Sequence, residues 1–536
     1  MAFSIPPSKK FSREIPVPIP YKGINAISPL SEMDPQEAIL AYNLIPTQSG
    51  MQVRPGWQQW CTNLAGAGGV RTLIPVRGNA TAADKLFACT INGIYDCTSS
   101  SSSPTLVVTF PSQTGNAGWG QWEHCTNLAG DVYLLYCDEV NGYYTFDTNT
   151  TTWLKVTAGT ASNQINGVDP ATLVSVRLYN NRIWFVQVNT GNAWYLPVGQ
   201  IYGTVTQFSF GNKFNHGGNL NSLWMFTYGS VFGTYMYLVG IGDSGDVIAY
   251  TGSDPNSATT WSMAGQWYVG DLPVGRRVAT SYGGDLIILS VYGAVNLSSL
   301  FYQKDIMDPS IYLTKKIAPI IKNEIANNDM RGWEIVPWPS QNSFLILDPD
   351  SVNTIQFCYN LVTNAWTVLK AIPMQTACSW HGNLYAGSQS GVVELIGANQ
   401  DAIPISGSTG NSINWGMLGA FSSMQMPGVA KFVDLIRAYL LSQQTASYVT
   451  FARYDFDITD LTLGSGTGAP GAATSGWDVG IWDSMLWGAG SQSTQVGVSG
   501  STGSGRWVAF GILGTSIGME TLVGIDASIR PTAGFL

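Results

Sequence analysis

The feature that most constrains this chain is a short unit that recurs along it: an apolar or aromatic run, a glycine-bearing turn, then a second such run. Lys85–Thr90 and Ile94-Tyr95 flank Asn92-Gly93, and Val132–Cys137 and Tyr143–Phe146 flank Asn141-Gly142. Asn-Gly tolerates the positive φ that tight hairpins need, so it is the strongest short hairpin signal. The same unit appears in Tyr235–Val239 with Asp246–Tyr250, at Asp285–Leu289, and in Asn383–Ala386 with Val392–Leu395. Runs this short and this rich in Tyr, Val, Ile and Phe read as strands. A Gly-Asp or Gly-Asn step also precedes a strand at Gly130, Gly245, Gly284 and Gly382. There the glycine supplies the turn conformation and the Asp or Asn caps it.

Longer repeats select the architecture. Cys61–Gly66 returns as Cys125–Gly130 with the same six residues. A looser unit runs from an aromatic, through Asp or Asn and a polar turn, to Trp. It reads Phe146-Asp147 with Trp153, and Tyr359-Asn360 with Trp366; Ser253-Asp254-Pro255 with Trp261 is a partial copy. Trp153, Trp261 and Trp366 are 108 and 105 residues apart, an interval that holds two four-stranded units. Even strand spacing with periodic aromatics predicts an all-β fold, a β-propeller of five to eight blades, with a Trp in the wedge between blades.

The divisions expected are an N-terminal arm with a short helix over 1–45, the propeller over 46–405, and a C-terminal β-rich domain over 406–536. Residues 1–22 carry five prolines, which suit an extended arm. Asp34, Pro35 and Glu37 form a helix-start pattern, so a helix is expected from there to Leu44. A second helix is expected between Ile311 and Asn327, with Pro319 delaying or kinking it. Gly464–Gly476 and Gly488–Gly505 read as Gly/Ser-rich loops. Leu223–Gly242 carries no charge, but its Gly-containing interruptions favour two strands over a membrane span.

Composition excludes several functions. The chain has 25 basic and 34 acidic residues, a net charge of -9, and only 11% charged residues. Gripping duplex DNA requires Lys and Arg to displace counterions, and they are scarce here. No apolar segment follows the N-terminal residues, so no export signal is expected. The seven cysteines are odd in number and lack a Cys-x-x-Cys, so reduced, buried thiols are expected. His124, His216 and His381 are too scattered for a zinc site or a catalytic triad. Gly240–Gly245 matches a dinucleotide fingerprint, but a strand follows it where a helix is required. Asp455, Asp457 and Asp460 lack the glycine and closing Glu of a calcium loop. Arg276-Arg277 is the one arginine pair, read as a structural ion pair or subunit contact. No catalytic residue, metal or cofactor is expected.

Three stretches together resemble one family. The first is Gly23-Ile24-Asn25, Ser28-Pro29, Glu37-Ala38, Asn43-Leu44 and Val53-Arg54-Pro55-Gly56. The second is Gly245-Asp246 through Asp254-Pro255 to Trp261, then Gly275-Arg276-Arg277 and Gly284-Asp285. The third is Asn360, Thr363–Trp366, Gly382–Tyr385 and Gly387. In order and spacing they resemble the tail nozzle proteins, or tail tubular protein B, of short-tailed bacteriophages. The resemblance implies a propeller subunit in a homo-hexameric ring at the distal end of the virion tail, assembled in the host cytoplasm. Such a ring docks on a head–tail adaptor, carries fibres or tailspikes, and touches genomic duplex DNA only in passing. It implies fold-making roles for the Gly, Asp, Arg and Trp positions. The alternative is a carbohydrate-binding or glycoside-cleaving propeller, which would need carboxylates converging at the propeller centre. No such cluster is legible in the sequence.

Overall fold

The computed structural model describes residues 12–64, 66, 68–230, 233–301, 308–349, 355–442, 447–459, 493–500 and 503–531. Among them the hairpin units become antiparallel blades. Blade 1 is Thr72–Val76, Lys85–Thr90, Gly93–Asp96 and Thr105–Thr109, and blade 2 is Gly120–Thr126, Val132–Asp138, Gly142–Asp147 and Thr152–Lys155. Blade 3 is Leu173–Tyr179, Arg182–Gln187, Asn192–Tyr195 and Thr206–Ser209. Blade 4 is Leu220–Ser230, Gly233–Gly242, Asp246–Gly252 and Trp261–Tyr268. The charge-free segment is therefore a hairpin of two strands, and no helix of the described residues is long and apolar enough to cross a membrane.

Blade 5 has three strands, Ala279–Tyr282, Asp285–Ser290 and Gly293–Asn296. Blade 6 is Glu334–Trp338, Ser343–Leu347, Gln356–Asn360 and Ala365–Leu369. Blade 7 takes Thr376–Trp380, Asn383–Gly387 and Val393–Ala398 from one end of the propeller sequence. Its outer strand, Gly56–Cys61, comes from the other end. The first strand of each blade packs beside that of the next, and that of blade 7 returns to that of blade 1. The ring of seven blades is closed by a strand that precedes blade 1 in sequence, so no blade edge is left open at the seam.

The three spaced tryptophans fall at one structural position. Trp153 pairs with Phe146, Trp261 with Gly252 and Trp366 with Tyr359, each at or near the start of the outer strand of blades 2, 4 and 6. Trp153 lies edge-on to Phe87 of blade 1, and Trp261 stacks on Trp184 of blade 3. They fill wedges between blades, as the spacing predicts. The Cys61 and Cys125 copies are not equivalent: Cys61 ends an outer strand and Cys125 sits in an inner one. Gly130, Gly245, Gly284 and Gly382 all have φ between +81° and +89°, the conformation their turns demand.

The helix expected from Asp34 to Leu44 is absent. Asp34 accepts from the Gln36 amide in a tight turn, and Ala38–Tyr42 is a strand paired with Ile413–Gly419. The cap chemistry is real, but Ala38 and Ala41 are buried against the sheet, and strand pairing outweighs a single weak helical segment. The second helix runs Ala318–Asn327, with Pro319 in its first turn, the late start.

The terminal pieces, expected as separate units, fold together as a β-sandwich. One sheet continues blade 6: beyond Ala365–Leu369 come Ala38–Tyr42, Ile413–Gly419, Val508–Ser516 and Ser447–Tyr454. The other holds Leu44–Thr47, Gly50–Val53, Glu520–Pro531, Lys431–Ser442 and Ser493–Gly500, with Arg13–Val17 beside Glu520–Pro531. Alternate residues Val433, Ile436, Ala438 and Leu440 face Trp415, Met417, Phe510 and Ile512 across a shared core. The strand Ser493–Gly500 lies within a stretch expected to be loop; Gly464–Gly476 lies outside the described residues. The expected arm thus contributes a strand, Arg13–Val17, to the sandwich.

Candidate functional site

A propeller concentrates its inner-strand residues on the central axis, so the axis is where a site is most readily built. Here it holds a cavity of about 400 Å³ to which all seven blades contribute, among them Trp122 and Glu123 of blade 2, Arg177 of blade 3 and Trp224 of blade 4. Glu123 accepts from Arg177 at 2.8 Å, and the Arg177 guanidinium lies 4.2 Å over the Trp224 ring. A separate small space of about 10 Å³ lies among Glu139, Arg276, Arg277 and Arg331, near the starts of the inner strands of blades 2, 5 and 6.

Arg277 is the cross-tie. It donates to Thr376 of blade 7 at 3.0 Å and to the Arg71 carbonyl beside blade 1 at 2.7 Å. It also lies 3.5 Å from Glu334 of blade 6 and 4.9 Å over the ring of Trp119, just before blade 2. Arg276 donates to the Asn221 carbonyl of blade 4 and lies 3.7 Å from Glu139, while its own carbonyl accepts from Gln121. Arg331 completes the network at 2.6 Å from Glu139. Burial raises the carboxyls of Glu139 and Glu334 above their ordinary value, and the arginines oppose it. Burial also lowers Arg276. Each carboxylate is occupied by a guanidinium, so the arrangement fastens blades together around the axis. Glycoside cleavage needs two carboxyl groups free to meet a sugar and a water. Among the described residues no group of three His, Cys, Asp or Glu could hold a metal ion.

For Arg276 and Arg277 the sequence suggested a structural ion pair or a subunit contact; the structure pairs them with Glu139 and Glu334 beside the axis. Their partners Glu139 and Glu334, and the Arg177–Glu123 pair, went unseen, because these residues come from different blades at unrelated spacings. A signal was present for two of them: Glu123 and Glu334 are charged residues in an innermost strand of a chain poor in charge.

The other sequence-selected residues lie elsewhere, in two groups. Gly23, Asn25, Arg54 and Trp366 gather where blade 6 meets the sandwich, and Gly56 begins the outer strand of blade 7 next to them. Gly23 has φ +75°, and a Cβ there would stand 2.4 Å from the Trp366 carbonyl oxygen, which accepts from the Ile24 amide. The Asn25 side chain donates to Glu37 at 2.6 Å and accepts from the amides of Ile27 and Ser28. Arg54, 1% exposed, grips both Asp401 oxygens at 2.8 Å and donates to Asn43 and to the carbonyls of Pro55 and Lys370. At Gly56 a Cβ would stand 2.1 Å from the Gln400 carbonyl oxygen.

The second group is set in blades 4 and 5. Gly245 turns the chain into Asp246, whose buried carboxylate accepts from the His216 amide and meets its ring. Asp254 lies 3.6 Å from Arg182 of blade 3, and Pro255 continues the same turn toward Trp261. Gly284 turns into Asp285, which accepts from the Ser298 amide at 3.1 Å. All of these serve turns, seams and blade contacts.

No protein-family model matches the chain, and no curated protein matches its sequence. The chain is similar, at low scores, to solved structures that include propellers. The β-propeller domain of Cps50 (Swd1) from Myceliophteria thermophila is 10% identical, covering 63% of this chain and 98% of that one, with a TM-score of 0.35. The WD40 domain of Neurospora crassa Pan2 is 10% identical, covering 64% and 96%, also at 0.35. The computationally designed Ika8 protein is 9% identical, covering 63% and 99%, at 0.33. At these scores the matches carry no argument about function. The blade order decides the fold. The chain is an all-β propeller. It is joined to a β-sandwich through a continuous sheet.

Proposed function

We propose that this chain is a structural subunit of a virion tail, forming the nozzle ring of a short-tailed phage below a head–tail adaptor. One observation carries the reading: the residues that resemble that family are used to close the fold. Gly23, Arg54 and the Trp366 carbonyl lock the propeller to the sandwich, and Arg276 and Arg277 pin its axis. A subunit that must hold shape under load benefits from this arrangement, and the sheet running from blade 6 into the sandwich adds to it.

The propeller axis is not the conduit in this reading. A central cavity of about 400 Å³ has no room for a duplex. DNA passes through the lumen between subunits, where six chains at -9 carry about -54 and repel phosphate. Fibres or tailspikes attach on the outside of the ring. Co-purification with an adaptor and particle imaging test the proposal, and a chain that stays monomeric with the adaptor present overturns it.

The glycan-binding alternative draws on one feature, the axial cavity with Trp122, Glu123 and the exposed Ser281 and Ser379 at its wide end. A glycan array and a chromogenic glycoside panel decide it; signal in either supports the alternative.

A further inference from the structure

All seven cysteines are unbonded and buried, and two of them, Cys61 and Cys97, share a hydrogen bond at the seam that closes the propeller. Cys61 ends the closing strand Gly56–Cys61 of blade 7, and Cys97 follows the third strand of blade 1. The segment after Cys97 runs alongside the closing strand. Trp60 Nε1 donates to the Cys97 carbonyl at 2.7 Å, and Cys61 Sγ donates to the Ser99 carbonyl at 3.4 Å. Cys61 and Ser101 form a parallel bridge, with Ser101 N donating to the Trp60 carbonyl at 2.9 Å. Both thiols belong to one apolar cluster with Leu86, Tyr95 and Val393.

We propose that Cys61 and Cys97 are an oxidative cross-linking site, forming a disulfide that fastens the closing strand to the flank of blade 1. The chemistry distinguishes this pair from the other thiols. In the folded chain a hydrogen bond between the two thiols holds Cys61 below its ordinary value and, with burial, raises Cys97 above its own, so the two sulfurs lie within reach of each other. Burial raises the other five, with Cys125 pushed up to about 11 and Cys358 to about 12.

The oxidant is a small disulfide such as oxidised glutathione. The Cys61 thiolate attacks one of its sulfurs and expels one glutathione thiolate. Cys97, giving its proton to solvent, then attacks the Cys61 sulfur of the mixed disulfide and expels the second. The two protein thiols lose two electrons and two protons, and the glutathione disulfide is reduced to two thiols. Because both sulfurs are sealed in the folded chain, the bond forms as the strand docks during folding.

The full chain is produced in a host with an oxidising cytoplasm and, in parallel, in a reducing one. It is then alkylated, digested and mapped by mass spectrometry. A linked Cys61–Cys97 peptide is expected as the main disulfide from the oxidising host, with the other five cysteines alkylated. The oxidised protein melts about 5 °C higher, and the gain is removed by dithiothreitol and absent in Cys97→Ser. Alkylation of both Cys61 and Cys97 from the oxidising host, or pairing of either with another cysteine, overturns the proposal. The mapping uses the natural chain, so it decides the matter even if the variant does not fold.

Discussion

Arg54 shows how a single side chain can join two parts of the chain. Its guanidinium saturates its donors on Asp401, Asn43 and two carbonyls with almost no exposure. Arg54→Met leaves the Asp401 carboxylate buried without its partner, and should cost about 3–5 kcal/mol in urea unfolding. A loss below about 1 kcal/mol would mean that the pair does not hold the junction. Glu520 gives a pH signature. Burial pushes its carboxyl up to about 7, against a weaker pull from Ser516. The folded chain therefore keeps a proton that the unfolded chain has lost between about pH 4.5 and 7. Stability attached to this group is full below that window and falls as pH rises through it, by roughly 3 kcal/mol. Glu520→Gln should flatten that part of the stability–pH curve; the same slope in both proteins would refute the assignment.

At the scale of strands and blades, the tryptophan spacing was the most informative signal. Hairpins Val132–Asp138/Gly142–Asp147 and Asn383–Gly387/Val393–Ala398 were readable because apolar runs and glycine turns are local physics. The wedge tryptophans were readable because two blades span a fixed length of chain. What was not legible was pairing across long separations. Nothing local marks Gly56–Cys61 as the partner of Val393–Ala398, or Ala38–Tyr42 as the partner of Ile413–Gly419. Local cap signals even favoured a helix at that second site. For the candidate site, Arg276 and Arg277 were visible as a pair, but their carboxylates became partners only on ring closure. Trp261→Ala opens the wedge between blades 3 and 4, where Trp184 and Tyr250 stack on it, and should cost about 3–5 kcal/mol. Denaturant unfolding of that variant measures it, and a near-neutral result would place the wedge packing elsewhere.

At the scale of the whole molecule, the propeller and sandwich share one continuous sheet, and the chain enters and leaves through the sandwich. Its acidic balance predicts passage of DNA without retention. Mobility-shift titration with duplex DNA at physiological salt should show no stable complex up to micromolar protein, and tight binding would contradict the charge argument. The proposed assembly is a sixfold ring. Electron microscopy of the purified chain with its adaptor, or of intact tails, tests it most directly. The expected result is a sixfold ring with a central opening of roughly duplex width, surrounded by six seven-bladed propellers whose own axes hold no DNA. A persistent monomer that never joins an adaptor, or an assembly in which density for DNA runs through the propeller axis, would contradict it.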